Sequence, residues 1–303
     1  MRLIAILVAV LAVIGAGLWW ATAPQRLPAD RIAAETSGVA ARGQRIFWAG
    51  GCASCHAEAK ATGDAQLRLG GGAPLKTPFG TFYAPNISPD PVHGIGRWRL
   101  ADFANAMQRG VDPAGRHLYP AFPYASYQRM TPGDIADLFA FMKTLPPMTT
   151  DAHANDLSFP FNIRRGIGLW KRAFMGDAEP VIALPAGAPA AARAGRYLVE
   201  GPGHCGECHT ARGLGGLGGL DRGRWLAGAA SLDGPGKVPN ITPGTAGIGS
   251  WSAAEIADYL ETGFTPEYDS VGGSMAAVQR NMAKLTPEDR AAIAAYLKAV
   301  PPH

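Results

Sequence analysis

Two pentapeptides carry the residues best suited to chemistry: C-A-S-C-H, with Cys52, Cys55 and His56, and C-G-E-C-H, with Cys205, Cys208 and His209. They contain all four cysteines of the chain, so no cysteine is left for a disulfide framework. Three chemistries use two thiols and an imidazole at this spacing. A structural zinc ion takes four ligands, and each unit offers three with no obvious partner set. A dithiol redox pair belongs in an α/β setting, which the surrounding sequence does not show. Covalent haem attachment uses every group: the thiols add to the porphyrin vinyls and the histidine ligates iron. A duplicated unit in helical surroundings favours the third chemistry, two covalently attached haem c groups.

The iron then needs a sixth ligand. Met275, in G-G-S-M-A-A, follows His209 by 66 residues and precedes a helix start at Thr286, where a methionine loop belongs. Met282 competes but reads as a packing residue. The same count from His56 reaches Phe122, which cannot ligate. Met130 is the sulfur nearest that slot and is the candidate metal ligand of the first copy, although it can equally be the apolar residue before the Thr131 cap, equivalent to Leu285. His117 and His93 are further options. Loss of a thioether there lowers the first potential relative to the second, since Met/His ligation raises it, and favours electron flow from haem 1 to haem 2.

The elements that position these groups repeat. Cys52 and Cys205 are 153 residues apart, and N-I-S-P (86–89) and N-I-T-P (240–243) are 154 apart. G-I-G-R-W (94–98) and G-I-G-S-W (247–251) are again 153 apart, and T-P-G-D (131–134) and T-P-E-D (286–289) are 155 apart. One order at nearly one offset means a duplicated domain. Amphipathic stretches at 41–49 and 191–200 lead into the cysteines. Ser252 and Glu255 form a capping box, and Thr131 and Thr286 cap final helices opened by Pro132 and Pro287. Apolar spacing at 135–143 and 290–299 is helical, and no alternating pattern persists. The expectation is an all-α chain: domain 1 at 38–147, a connector at 148–190 and domain 2 at 191–303. Residues 159–170 of the connector are too apolar for a free linker and read as a strap packed against both domains, with a docking surface for another subunit as the alternative.

A chain of 303 residues with 47% hydrophobic and 17% charged residues is globular, and its net charge of +4 is scattered rather than concentrated, which excludes a nucleic-acid footprint. Residues 3–23 are uncharged and end near Trp19 and Trp20. This length crosses a bilayer, and tryptophans suit its boundary. Ala21-Thr22-Ala23 resembles a signal cleavage site, but the run exceeds the roughly 7–15 residues of a signal core and Pro24 would hinder the peptidase. Residues 1–23 are therefore read as a retained transmembrane helix, with the rest outside the cytoplasm. G-L-G-G-L-G (213–218) fits a dinucleotide loop but follows no strand. His204 is read as a surface residue near the haem edge. Asn86, Asn240, Trp98 and Trp251 are candidate propionate contacts.

T-P-F-G-T-F-Y-A-P-N-I-S-P-D-P-V-H-G-I-G-R-W and L-Y-P-A-F-P-Y, with P-N-I-T-P, G-I-G-S-W and G-G-S-M-A-A-V in the second half, resemble the membrane-associated multihaem cytochrome c subunits of bacterial alcohol, gluconate and aldehyde-type dehydrogenases. The resemblance covers residue 38 to the end. It implies two tandem class I cytochrome c folds in the periplasm, anchored in the inner membrane. They would pass electrons from a periplasmic dehydrogenase towards quinone, a cytochrome or a terminal oxidase. Carried over by motif, Cys52, Cys55 and His56 hold one haem, and Cys205, Cys208, His209 and Met275 hold the other. Many relatives have methionine where Phe122 stands, and several have a third haem domain. The rival reading is a dihaem peroxidase with an open site at haem 1, although Y-P-A-F-P-Y-A-S-Y offers no obvious acid–base pair. A haem-based sensor would need an output domain, which the chain lacks.

Overall fold

A computed structural model describes residues 1–28, 37–231 and 236–303. The chain opens with α1 (Arg2–Ala21), apolar and exposed along its whole length and, by length and composition only, able to cross a membrane. Domain 1 follows as α2 (Ala40–Ala49), α3 (Cys52–His56), the strands β1 (Pro74–Thr77) and β2 (Gly80–Tyr83), then α4 (Leu100–Arg109), α5 (Tyr124–Tyr127) and α6 (Pro132–Met142). The connector contributes β3 (Asp156–Leu157) and α7 (Ile167–Trp170). Domain 2 repeats the plan as α8 (Ala190–Glu200), α9 (Gly206–His209), β4 (Ala229–Ala230), β5 (Lys237–Val238), α10 (Ala253–Thr262), α11 (Met275–Met282) and α12 (Pro287–Leu297).

In each domain the first and last helices cross at a glycine. A Cβ on Gly43 would lie 1.9 Å from the Asp137 carbonyl oxygen, and one on Gly195 would lie 1.8 Å from that of Ala292. Only glycine lets α2 meet α6, and α8 meet α12, this closely. The caps expected from sequence form: Thr131 accepts from the Asp134 N–H, Thr286 from that of Asp289, and Ser252 and Glu255 make the reciprocal box. The middle helices α4 and α10 both end on a left-handed glycine, Gly110 at φ +57° and Gly263 at φ +82°.

Short strands accompany the helices. Antiparallel β1 and β2 turn through Gly80, at φ +123°, and β3 of the connector adds to their edge. β4 and β5 form a second, two-residue pair. Strands of two to four residues are too short for alternation to register in the sequence. The connector lies across both domains. Lys171 donates to the Arg109 and Gly110 carbonyls of domain 1. Towards domain 2, Trp170 donates to Leu217, and the Val181 and Ile182 N–H groups donate to the buried carboxylate of Glu200. Its outer side chains Phe159, Ile163 and Leu169 stay exposed.

Candidate functional site

The C-x-x-C-H turns are built on one plan in the two copies. Each is a single helical turn, α3 or α9, launched from the N-terminal helix of its domain. The Nδ1 of His56 lies 2.8 Å from the Pro85 carbonyl oxygen, and the Nδ1 of His209 lies 2.8 Å from that of Pro239. A carbonyl only accepts, so the ring proton sits on Nδ1 and Nε2 keeps its lone pair for a metal. Burial pushes both imidazoles below the ordinary histidine range, against the opposing pull of that hydrogen bond, and keeps them neutral as ligands must be. The His56 carbonyl accepts from Gly71 N–H and the His209 carbonyl from Gly228 N–H, each at 2.8 Å, which fixes the turn from behind.

Burial pushes the thiols of Cys52 and Cys205 up to about 12. A redox dithiol needs the opposite shift, so these sulfurs are poor thiolates. Among the described residues no three His, Cys, Asp or Glu side chains converge as a metal site. The donor set therefore fits covalent haem with a single protein imidazole on one side of the iron, and fits zinc or thiol exchange poorly.

The sulfur candidates separate. Met275 is the first residue of α11, half-buried against the core, whereas Met282 is buried at that helix's far end as a packing residue. In domain 1, Phe122 is half-buried and packs edge-on to Tyr124 and Tyr127. Met130 is 2% exposed within the core, and Leu285 at the matching place is 5% exposed. Packing alone accounts for the burial of Met130. His117 puts Nε2 2.9 Å from the Thr22 carbonyl oxygen while its buried Nδ1 has no hydrogen-bond partner, and His93 pairs with Asp90 and lies 3.6 Å from Asp151.

Other sequence candidates take different places. Asn86 donates to the Met148 and Thr150 carbonyls, and Asn240 to that of His303, so both amides tie their loops to the chain beyond the last helix. Two lysines went unnoticed in the sequence. Lys143 donates to the Ile95 and Gly96 carbonyls, and Lys298 to those of Gly249 and Trp251, latching the last helix of each domain onto its G-I-G-x-W loop. Their offset of 155 residues matches that of the flanking landmarks and was the available signal. The 213–218 loop closes on itself, Gly218 N–H donating to Gly213, with no strand before it.

The two attachment turns meet across the domain boundary in symmetry-related pairs. Ser126 of domain 1 donates to Glu207, inside the second C-x-x-C-H, at 2.6 Å. Its counterpart Asn281 donates to Ser54, inside the first, also at 2.6 Å. Arg45 grips Asp289 at the start of α12 through two bonds of 2.8 and 2.7 Å, and Tyr197 donates to Asp134 at the start of α6. Between them His204 lies edge-on to Tyr127, and its Nε2 is 3.2 Å from the Gly50 carbonyl oxygen. His204 thus belongs to the domain interface. Duplication has produced a self-complementary interface inside one chain, as in a two-fold dimer.

Comparison with known proteins agrees with this geometry. The cytochrome c family model matches residues 40–146 and again 192–301. The chain is 53% identical, over 97% of its length and 96% of the relative's, to a protein of Cereibacter sphaeroides named diheme cytochrome c-type. It is 37% identical over 86% of its length to the fructose dehydrogenase cytochrome subunit of Gluconobacter japonicus. It is 35% identical over 86% to the cytochrome c subunit of the quinone alcohol dehydrogenase of Gluconobacter oxydans. The chain spans about half the length of these two subunits, 52% and 54%. Such relatives imply electron transfer. The chain belongs to the cytochrome c family, with two of its domains in tandem and two covalently bound haem c groups.

Proposed function

We propose that this protein relays single electrons from a periplasmic dehydrogenase partner towards quinone or an oxidase chain, while held in the inner membrane by α1. When bound, haem c supplies reversible one-electron transfer at iron. Cys52 and Cys55 anchor one porphyrin and Cys205 and Cys208 the other. His56 and His209, their Nδ1 protons held by Pro85 and Pro239, would offer Nε2 to the iron of each haem, and Met275 would add a sulfur ligand in domain 2. The carrying observation is that matched imidazole–carbonyl bond of 2.8 Å in both copies, which gives each domain one oriented ligand. The paired contacts across the boundary hold the two attachment turns together for exchange between them.

Phe122 at the methionine slot is the one feature that favours a peroxidase instead. Against that reading, Glu207 is engaged by Ser126 and Arg212, and Phe122 packs with Tyr124 and Tyr127. The test is the reduced protein's response to CO and peroxide. Absence of peroxide turnover supports a relay whether or not the haem of domain 1, which has no assigned sixth ligand, binds CO, and peroxide turnover at a CO-reactive haem overturns it.

A further inference from the structure

The connector grips the end of α1. Arg165 donates to the Trp19 carbonyl at 2.5 Å and to Thr22 Oγ1 at 2.9 Å, and its guanidinium lies 4.0 Å from the Trp19 ring centre. Arg172 donates to the Ala21 carbonyl and lies 5.6 Å from the ring of Trp20. A Cβ on Gly168 would meet Thr22 Cα at 2.6 Å, so the backbones touch. The last turn of α1 contains no basic residue, and two arginines from about 150 residues away neutralise its carbonyl end. Domain 1 holds the following residues: His117 on Thr22, Pro113 on Arg26 and Asn105 on Leu27.

An α-helix of 20 residues is about 30 Å long, the thickness of the hydrocarbon layer, which puts Trp19 and Trp20 at the headgroup boundary if α1 spans. Side chains touching those tryptophans share that depth. Ile163, 50% exposed, stands two residues before Arg165, and Leu169, 47% exposed, three before Arg172. Phe159, at the start of this apolar segment, is 77% exposed. Apolar side chains interspersed with arginines at this level match the composition of an interfacial membrane segment.

We propose that residues 159–172 are a second membrane contact, with Phe159, Ile163 and Leu169 entering the phospholipid boundary and Arg165 and Arg172 at phosphate depth. Domain 1 then rides against the bilayer instead of swinging on a tether. The inference rests on α1 spanning the membrane. Photoreactive benzoylphenylalanine, placed singly at positions 11, 163 and 169 of the full-length haem-loaded protein, tests it in native membranes by irradiation and mass spectrometry. The expected result is phospholipid adducts at 163 and 169 in yields of the same order as at 11, with the visible haem spectrum unchanged. Adducts at 11 but none at 163 and 169, or adducts there to another protein, overturn this inference and leave the anchor standing. Absence of lipid adducts at all three overturns both.

Discussion

Gly195→Ala is the sharpest test of how the domains are built. The new Cβ would sit 1.8 Å from the Ala292 carbonyl oxygen and 2.9 Å from Tyr296 Cβ. Restoring an ordinary contact of about 3.4 Å forces α8 and α12 apart by roughly 1.5 Å, because the obstacle is backbone and has no rotamer to escape into. Overpacking of this kind costs about 3 kcal/mol, offset by the ~1 kcal/mol that alanine gains over glycine within a helix. The net loss is about 2 kcal/mol, a fall of roughly 8–16 °C in the melting temperature of a domain of this size. Thermal unfolding followed by Soret circular dichroism reads it. Gly43→Ala belongs to the same class in domain 1, at 1.9 Å from the Asp137 oxygen. Gly133→Ala is the control, since the nearest atom lies 3.9 Å away, and within α6 it should be neutral or stabilising by up to about 1 kcal/mol. A Gly195→Ala protein that melts with the wild type would refute the helix-crossing argument.

Three further outcomes follow from the same geometry. Met275→Ala should abolish the sulfur–iron charge-transfer band of the oxidised protein in the near infrared and lower the second haem's potential, while domain 1 keeps its spectrum. Met130→Leu reproduces the Leu285 arrangement and should leave that band unchanged; a loss of intensity would assign Met130 to the first iron. Glu200→Gln replaces a buried carboxylate that accepts from Val181, Ile182 and Tyr296. An amide nitrogen cannot accept, so one donor is orphaned, and denaturant unfolding should show a loss of about 1–3 kcal/mol.

Much of this site could be read from the residues. The attachment turns were legible because three reactive groups recur at fixed spacing, and the duplication because its landmarks keep their order. Caps at Thr131, Thr286 and Ser252 were legible because hydroxyl, proline and acid act within one turn. The short strands were not, for β3 joins β2 across more than 70 residues of chain. Nor was the interface: Ser54 and Asn281 are 227 residues apart, and nothing local marks either as a partner. Asn86 and Asn240 read as candidate propionate contacts because a repeated polar residue near a cofactor looks functional; nothing local shows that each also donates to backbone beyond the last helix of its own domain. The connector's exposed outer face could not be told from a buried strap, since apolar composition is the same for both.

The central claim is one haem c per pentapeptide, and the haem-to-protein ratio from the pyridine haemochrome spectrum tests it most directly. The account predicts two covalent haems per chain, resistant to acid–acetone extraction, falling to one in Cys205→Ser/Cys208→Ser and to one in Cys52→Ser/Cys55→Ser. A wild-type ratio of one or zero, or a ratio unaltered by either pair of substitutions, would contradict it.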